Sequence, residues 1–185
     1  EFEEGKSGDI NTFRIELRLI ADVGLVGLPN AGKSSLLNAL TAAKSRVAAY
    51  AFTTLEPHLG AYYELILADI PGLIEGASEG KGLGHKFLKH IERTKTLFHL
   101  VSAESDDVVR DYQIVRRELE DYSPELAEKE EYVFLSKCDQ VDAATLKKQL
   151  AALKKIKVKA TPFSMLDDEM VEDMKKILNK LKDQK

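Results

Sequence analysis

Short apolar runs alternate with longer stretches of helical period along this chain. The run IADVGLV at 20–26 is mostly apolar and short, the composition of a strand buried on both faces. SLLNAL at 35–40 follows with apolar residues at helical spacing. Further on, LAD at 67–69 and 95–103 read as strands, 108–122 as a helix and 132–137 as a strand. A helix over 143–155, a strand over 158–164 and a helix over 168–182 complete the order. Strands that alternate with helices predict an α/β fold, with a mostly parallel sheet covered by helices on both faces. At the start, Phe13, Ile15, Leu17 and Leu19 alternate with Arg14, Glu16 and Arg18. That pattern predicts a lead-in strand after a linker, so that 1–19 stands apart from a domain over 20–185.

Chemistry enters where the first strand meets the first helix. Gly27, Leu28, Pro29, Asn30, Ala31, Gly32, Lys33 and Ser34 match GxxxxGK[ST], a loop whose backbone N–H groups wrap phosphates. A strand precedes the loop and a helix beginning near Ser35 follows it, so bound phosphate would meet the free N–H groups and dipole of a helix N-terminus. Lys33 is placed to reach the β- and γ-phosphates, and the Ser34 hydroxyl to sit on Mg²⁺.

The base is read further along. A short β-prone run, YVFL at 132–135, ends in Ser136, Lys137, Cys138 and Asp139, which resembles the NKxD element of guanine-nucleotide-binding proteins. A carboxylate at 139 accepts from both N1–H and the exocyclic amine of guanine, whereas adenine offers no such donor pair and leaves a desolvated charge unpaired. GTP is therefore favoured over ATP. Ser136 stands where that element usually has Asn, so a shorter side chain must tie the base loop to the phosphate loop.

Between these elements Asp69, Ile70, Pro71 and Gly72 end an apolar strand in the manner of DxxG. Asp69 can hold Mg²⁺ through water, and Gly72 lets its N–H approach a γ-phosphate because no Cβ intervenes. Upstream, Phe52, Thr53 and Thr54 lie in a long connection, where one hydroxyl can complete the Mg²⁺ shell while the γ-phosphate is present. Thr54 is the choice and Thr53 the alternative.

Two longer stretches, IADVGLVGLPNAGKS at 20–34 and DIPGLIEGASEGKGLGHKFLKHIERT at 69–94, resemble the GTPase domain of the Obg family. Asp69, Gly72, Gly76, Gly80, Gly82 and Gly84 fall on the family pattern, and Thr54 on its Mg²⁺-binding threonine. The resemblance is dense from 20 to 94 and thin after 102. It implies a P-loop NTPase of Ras-like G-domain type, with a mostly parallel six-stranded sheet, that binds GTP and GDP with Mg²⁺. The implied process is large ribosomal subunit assembly, with the subunit or its rRNA as partner, and the 1–19 segment is where a glycine-rich N-terminal domain would end. Phe163, Ser164 and Met165 resemble the SA element that touches the guanine carbonyl, with Met165 in place of a small residue. Asn30 resembles the asparagine that coordinates K⁺ in related GTPases.

Departures from the pattern shape the expected mechanism. Ala49-Tyr50-Ala51 replaces Asp-Tyr-Pro before the threonines, removing a charge and a fixed φ. The 61–68 segment is shorter than the family's strand pair and has no turn residue between Tyr63 and Glu64; either the hairpin is trimmed or residues are missing. Leu73 follows Gly72 where many small GTPases carry a water-orienting Gln, so glutamine-based catalysis is excluded there. Slow turnover is expected, carried by Lys33, Thr54, Gly72 and Asn30. The alternative is a guanine-nucleotide-dependent binding module with negligible hydrolysis.

Composition narrows the rest. A chain of 185 residues, 44% hydrophobic and 31% charged, can bury one core, and no apolar stretch is long enough to cross a membrane. The N-terminus carries no secretory pattern and Cys138 is the sole cysteine, which fits a reducing cytoplasm. A net charge of −4 argues against the whole domain as a nucleic-acid surface. The lysine-rich C-terminal third supplies either solvated helix faces or an RNA contact whose strength would fall steeply with salt.

Overall fold

The computed structural model describes residues 21–41, 46–47, 58–70 and 94–184, and the alternation of strand and helix follows the apolar pattern. In chain order the elements are β1 (Val23–Val26), α1 (Lys33–Leu40), β2 (Arg46–Val47), β3 (His58–Tyr62), β4 (Leu65–Asp69) and β5 (Thr96–Ser102). They continue with α2 (Val108–Tyr122), the one-turn α3 (Pro124–Ala127), β6 (Glu130–Ser136), a 3₁₀ turn (Cys138–Gln140), α4 (Ala143–Lys155), β7 (Ala160–Phe163) and α5 (Asp168–Asp183). The sheet order is β2-β3-β4-β1-β5-β6-β7. Six strands of four to seven residues form its body, and the two-residue β2 adds a seventh at the edge. β4, β1, β5, β6 and β7 run parallel to one another. β3 is antiparallel to both β2 and β4.

Strand alternation sorts the side chains between two helical layers. Val23, Leu25, Phe98, Leu100 and Phe134 face Leu36, Leu37 and Leu40 of α1 and Met174 and Leu178 of α5. The intervening residues face the other way. Val26 and Leu97 meet Val115 and Leu119 of α2, while Val101, Val133 and Leu135 meet Val108 of α2 and Leu153 of α4. β1 sits between β4 and β5, where the chain's direction of travel across the sheet reverses. The carboxyl end of β1 is thus the switch point at which open α/β sheets place ligands.

The β3–β4 hairpin closes on two residues. Tyr62 pairs with Leu65, leaving only Tyr63 and Glu64 in the turn. With no glycine available, Tyr63 itself takes φ 50°, an uncommon conformation for a bulky residue. Its ring meets Tyr62 edge-on at 5.0 Å and lies under the Lys182 ammonium at 5.3 Å, contacts that offset part of the strain.

β6 begins two residues earlier than its apolar run, because polar side chains here find buried partners. Glu131 Oε1 lies 2.8 Å from His99 Nδ1 on β5, and Glu131 Oε2 accepts from the Tyr112 hydroxyl of α2 at 3.0 Å. Arg116 stands 3.7 Å from the same carboxylate and donates to Ala127 O at 2.9 Å. Burial pushes the Glu131 carboxyl up, but the His99 bond and charge, with help from Arg116 and Tyr112, outweigh it and hold the group below its ordinary 4.5. Because the folded value lies below the unfolded one, this stabilisation is complete above about pH 4.5 and fades as pH falls through the folded value. Glu131→Ala should cost roughly 3 kcal/mol of stability, since it leaves His99 Nδ1 and the Tyr112 hydroxyl without their carboxylate partner. A urea midpoint equal to that of the wild type would show that the network is not stabilising.

Candidate nucleotide site

Three of the long helices start on an aspartate that caps them. Asp107 accepts from the N–H groups of Val109 and Arg110, Asp142 from Thr145, and Asp167 from Glu169 and Met170. α1 differs: it starts on Gly32 with no side-chain cap and no acidic residue in its first turn. Its free N–H groups are therefore open to an anion.

The loop before α1 is shaped for that task. Gly27 has φ 146°, Asn30 φ 63° and Gly32 φ 95°. A Cβ at Gly27 would lie 2.3 Å from Leu100 O, so the loop passes β5 too closely for any side chain there. Gly27→Ala should cost roughly 2–4 kcal/mol through combined clash and backbone strain, read as a lowered Tm; an unshifted Tm would show that the loop can relax. The Lys33 ammonium is turned back across the loop, donating to Gly27 O at 3.0 Å and Leu28 O at 3.1 Å. An ammonium has three donors, so one remains for a phosphate oxygen. Burial lowers the Lys33 pKa from its ordinary value, and the Asp69 charge pulls it back.

Asp69, at the end of β4, reaches the start of α1. The Ser34 hydroxyl donates to Asp69 Oδ2 at 2.5 Å, and Asp69 Oδ1 is buried without a partner among the described residues. One hydroxyl and one carboxylate, with an orphaned oxygen, form a hard-oxygen donor set that fits Mg²⁺, which binds through few protein ligands plus phosphate oxygens. Ile70 is buried, its N–H donating to Leu25 O at 3.0 Å. Phe52, Thr53, Thr54, Pro71, Gly72 and Leu73 lie outside the described residues, as do 1–19, Ala49-Tyr50-Ala51 and the glycines from 76 to 84.

A cleft of about 370 Å³ leads from Ala31, Gly32 and Ser35 to Ser136, Lys137 and Asp139, with Ser164 and Met165 on its far side. The Ser136 hydroxyl donates to Ala31 O at 2.8 Å or to Val101 O at 3.1 Å, so even this short side chain ties the strand end to the phosphate loop. Lys137 adopts φ 56° and pairs with Glu104. Cys138 is buried beside Met170, with 3.8 Å between the sulfurs, and burial pushes its thiol up. Asp139 is exposed in the 3₁₀ turn; a hydrogen bond from Ser164, then one from Gln140, lowers its carboxyl below the ordinary range. It is therefore presented as an oriented anion. Ser164 also accepts from the Leu166 N–H at 3.1 Å. Met165 packs half-buried against the core cluster of the α1 and α5 face.

Glu104 and Gln140 were not identified from sequence. Gln140 adjoins Asp139 and could have been suspected. Glu104 lies 33 residues from Lys137, and no local pattern marks it. Leu28, Pro29 and Asn30 border a separate, smaller cavity rather than the base cleft.

A family model described as 50S ribosome-binding GTPase matches residues 22–137. The chain belongs to this GTPase family, in its Obg branch. "GTPase Obg 2" of Anaplasma marginale (strain St. Maries) is 49% identical over 173 residues, which cover 91% of this chain and 53% of that relative. "GTPase Obg" of Anaplasma phagocytophilum (strain HZ) is 50% identical over 160 residues, covering 84% and 46%. The Obg-like chain thus spans about half the length of the curated relatives it matches. Among solved structures, the G domain of the T. maritima FeoB iron transporter aligns over 88% of this chain and 98% of its own, with a TM-score of 0.59 and 20% identity. An S. thermophilus NFeoB variant bound to GDP aligns over 85% and 59%, with a TM-score of 0.61 and 20% identity. These likenesses establish the Ras-like G-domain fold. Among the described residues, no helix of this Obg-family chain is long and apolar enough to cross a membrane.

Proposed function

We propose that this chain binds Mg²⁺-GTP and hydrolyses it slowly to GDP and phosphate, acting as a switch whose downstream partner is the large ribosomal subunit. The observation that carries the reading is that the cleft runs from the uncapped start of α1, at Gly32 and Ser35, to the oriented Asp139, while Lys33 and the Ser34–Asp69 pair stand at that same helix start. The α1 N–H groups and Lys33 would hold phosphate oxygens and stabilise the negative charge that shifts as water attacks the γ-phosphorus and its bond to the bridging oxygen breaks. Mg²⁺, held by Ser34, Asp69 and Thr54, would supply positive charge to the same oxygens. Asp139 would select guanine through two accepted hydrogen bonds, with Ser164 and Met165 closing the far side of the base.

Leu73 can neither donate nor accept, so catalysis needs another source of charge. Asn30, exposed on the phosphate loop with φ 63°, is assigned as a ligand for K⁺. An arginine finger in that role raises rates by roughly 10³ to 10⁵. Phosphate release from Mg²⁺-GTP should therefore be faster in potassium than in sodium buffer by about tenfold or more, with ATP a poor substrate. Binding of GTP without turnover in either buffer would replace the enzyme reading with that of a guanine-nucleotide-dependent binding module. Equal rates in both buffers would remove the role of Asn30.

A further inference from the structure

α4 and the turn after it gather positive charge in a chain whose net charge is −4. Between 143 and 159 the sequence holds six lysines, Lys147, Lys148, Lys154, Lys155, Lys157 and Lys159, and no aspartate or glutamate. All six are exposed. Their ammonium groups have no ion-pair or hydrogen-bond partner among the described residues, whereas on α5 Lys175 pairs with Glu172 at 2.6 Å and Lys176 with Asp173 at 2.7 Å.

The apolar side of α4 belongs to the core. Leu153 is buried among Val101, Val133 and Leu135, and Leu146 and Leu150 pack against the same cluster. At about 3.6 residues per turn, positions 147, 148, 154 and 155 fall on the side turned away from these leucines, with the exposed Ala144 and Ala151 between them. Two lysine pairs thus recur about 10.5 Å apart along the helix, over small side chains that let a partner approach. Past the helix end Lys157 takes φ 64°, a conformation that glycine adopts without strain, so lysine extends the charged face there at a conformational cost. The helix dipole favours Lys154 and Lys155 in the last turn, but gives no reason for Lys147 and Lys148.

We propose that this face of α4 docks on the phosphate backbone of double-stranded RNA. The choice of RNA rests on the large-subunit partner proposed above, and the choice of a duplex backbone rests on the face itself. Ammonium groups with no carboxylate beside them meet phosphate oxygens as point charges. No aromatic residue lies between 143 and 159, so unstacked bases would find no ring to stack on. A lipid surface would take up apolar side chains, and those of α4 are committed to the core. None of the six lysines lines the nucleotide cleft, so RNA and nucleotide do not compete for them.

The test is fluorescence anisotropy of a labelled RNA duplex of about 16 base pairs, titrated with the nucleotide-free chain at several salt concentrations. The dissociation constant should be on the order of 10 μM at physiological salt, and log affinity should fall with log salt at a slope of roughly −3 to −4. A variant combining Lys147→Gln, Lys148→Gln, Lys154→Gln and Lys155→Gln should bind about tenfold or more weakly and lose about one unit of slope per lysine, while its thermal melt stays cooperative. Lys175→Gln with Lys176→Gln should leave binding unchanged, because those ammonium groups are already paired. An RNA duplex left unbound, a fourfold variant that binds normally, or an equal loss in the α5 variant would each overturn the proposal. So would tighter binding to single-stranded RNA of the same length or to phosphatidylserine vesicles. Phosphate release from Mg²⁺-GTP, read in parallel, tests the GTP reading on residues that these variants leave alone, so the two failures are distinguishable.

Discussion

Lys33→Ala is expected to weaken GTP binding by about 10²-fold or more. The ammonium spans Gly27 O and Leu28 O and keeps one donor for the phosphates. Its loss therefore removes a charge-assisted bond to the ligand, worth about 1.5–3 kcal/mol, and also leaves two loop carbonyls without their donor. Both effects fall on the nucleotide-bound state, because a loop without its cation must bring phosphate charge against bare carbonyls. Titration calorimetry with GTP and with GDP measures the effect, and a Tm close to the wild-type value would show that the loop remains folded. Unchanged GTP affinity would remove the phosphate-loop assignment altogether.

Asp139→Asn is expected to reverse base preference. The carboxylate is exposed and oriented by Ser164 and Gln140, so the substitution alters the chemistry presented to the base while sparing the core. An amide offers one acceptor and one donor group in place of two acceptors. It loses the paired contact to the guanine N1–H and amine, and can instead donate to the carbonyl that replaces the amine in xanthine. GTP affinity should drop by about 10²-fold, the scale of lost charge-assisted bonds, while XTP affinity rises. Competition between the two nucleotides for one fluorescent analogue reads the ratio directly. A GTP-to-XTP ratio equal to that of the wild type would mean that the base is read by other residues.

How much of this was legible before the fold was known differs from element to element. The helices at Val108–Tyr122 and Ala143–Lys155 have the bounds that their periodicity predicts, because each buries an apolar stripe and starts on a capping aspartate. β6 starts two residues before, and ends one residue before, the strand read at 132–137. Its first residues are glutamates, and only the partners waiting on β5 and α2 make Glu131 a half-buried strand residue. The hairpin at Tyr63 was left open by a sequence with no glycine in the turn, and the structure closes it by placing an aromatic residue at positive φ. Ser136 was expected to bind the base loop to the phosphate loop, and its hydroxyl does reach Ala31 O. Its second acceptor on β5 was not foreseen.

Sequence by itself showed the GxxxxGK[ST] motif at 27–34, the DxxG-like motif at 69–72, the Ser136–Asp139 motif, the α/β alternation and the resemblance to the Obg family. These depend on residues close together in the chain, whose backbone demands and periodicity are local. Tertiary structure alone decided which polar groups meet. It brings Asp69 to Ser34, Ala31 to Ser136, Ser164 to Asp139, Glu104 to Lys137, and Glu131 to His99. Each of these contacts joins residues far apart in the chain, set side by side by parallel strand order. Sheet register, fixed by the packing of apolar faces against helices on both sides, has no signature in any short window of sequence.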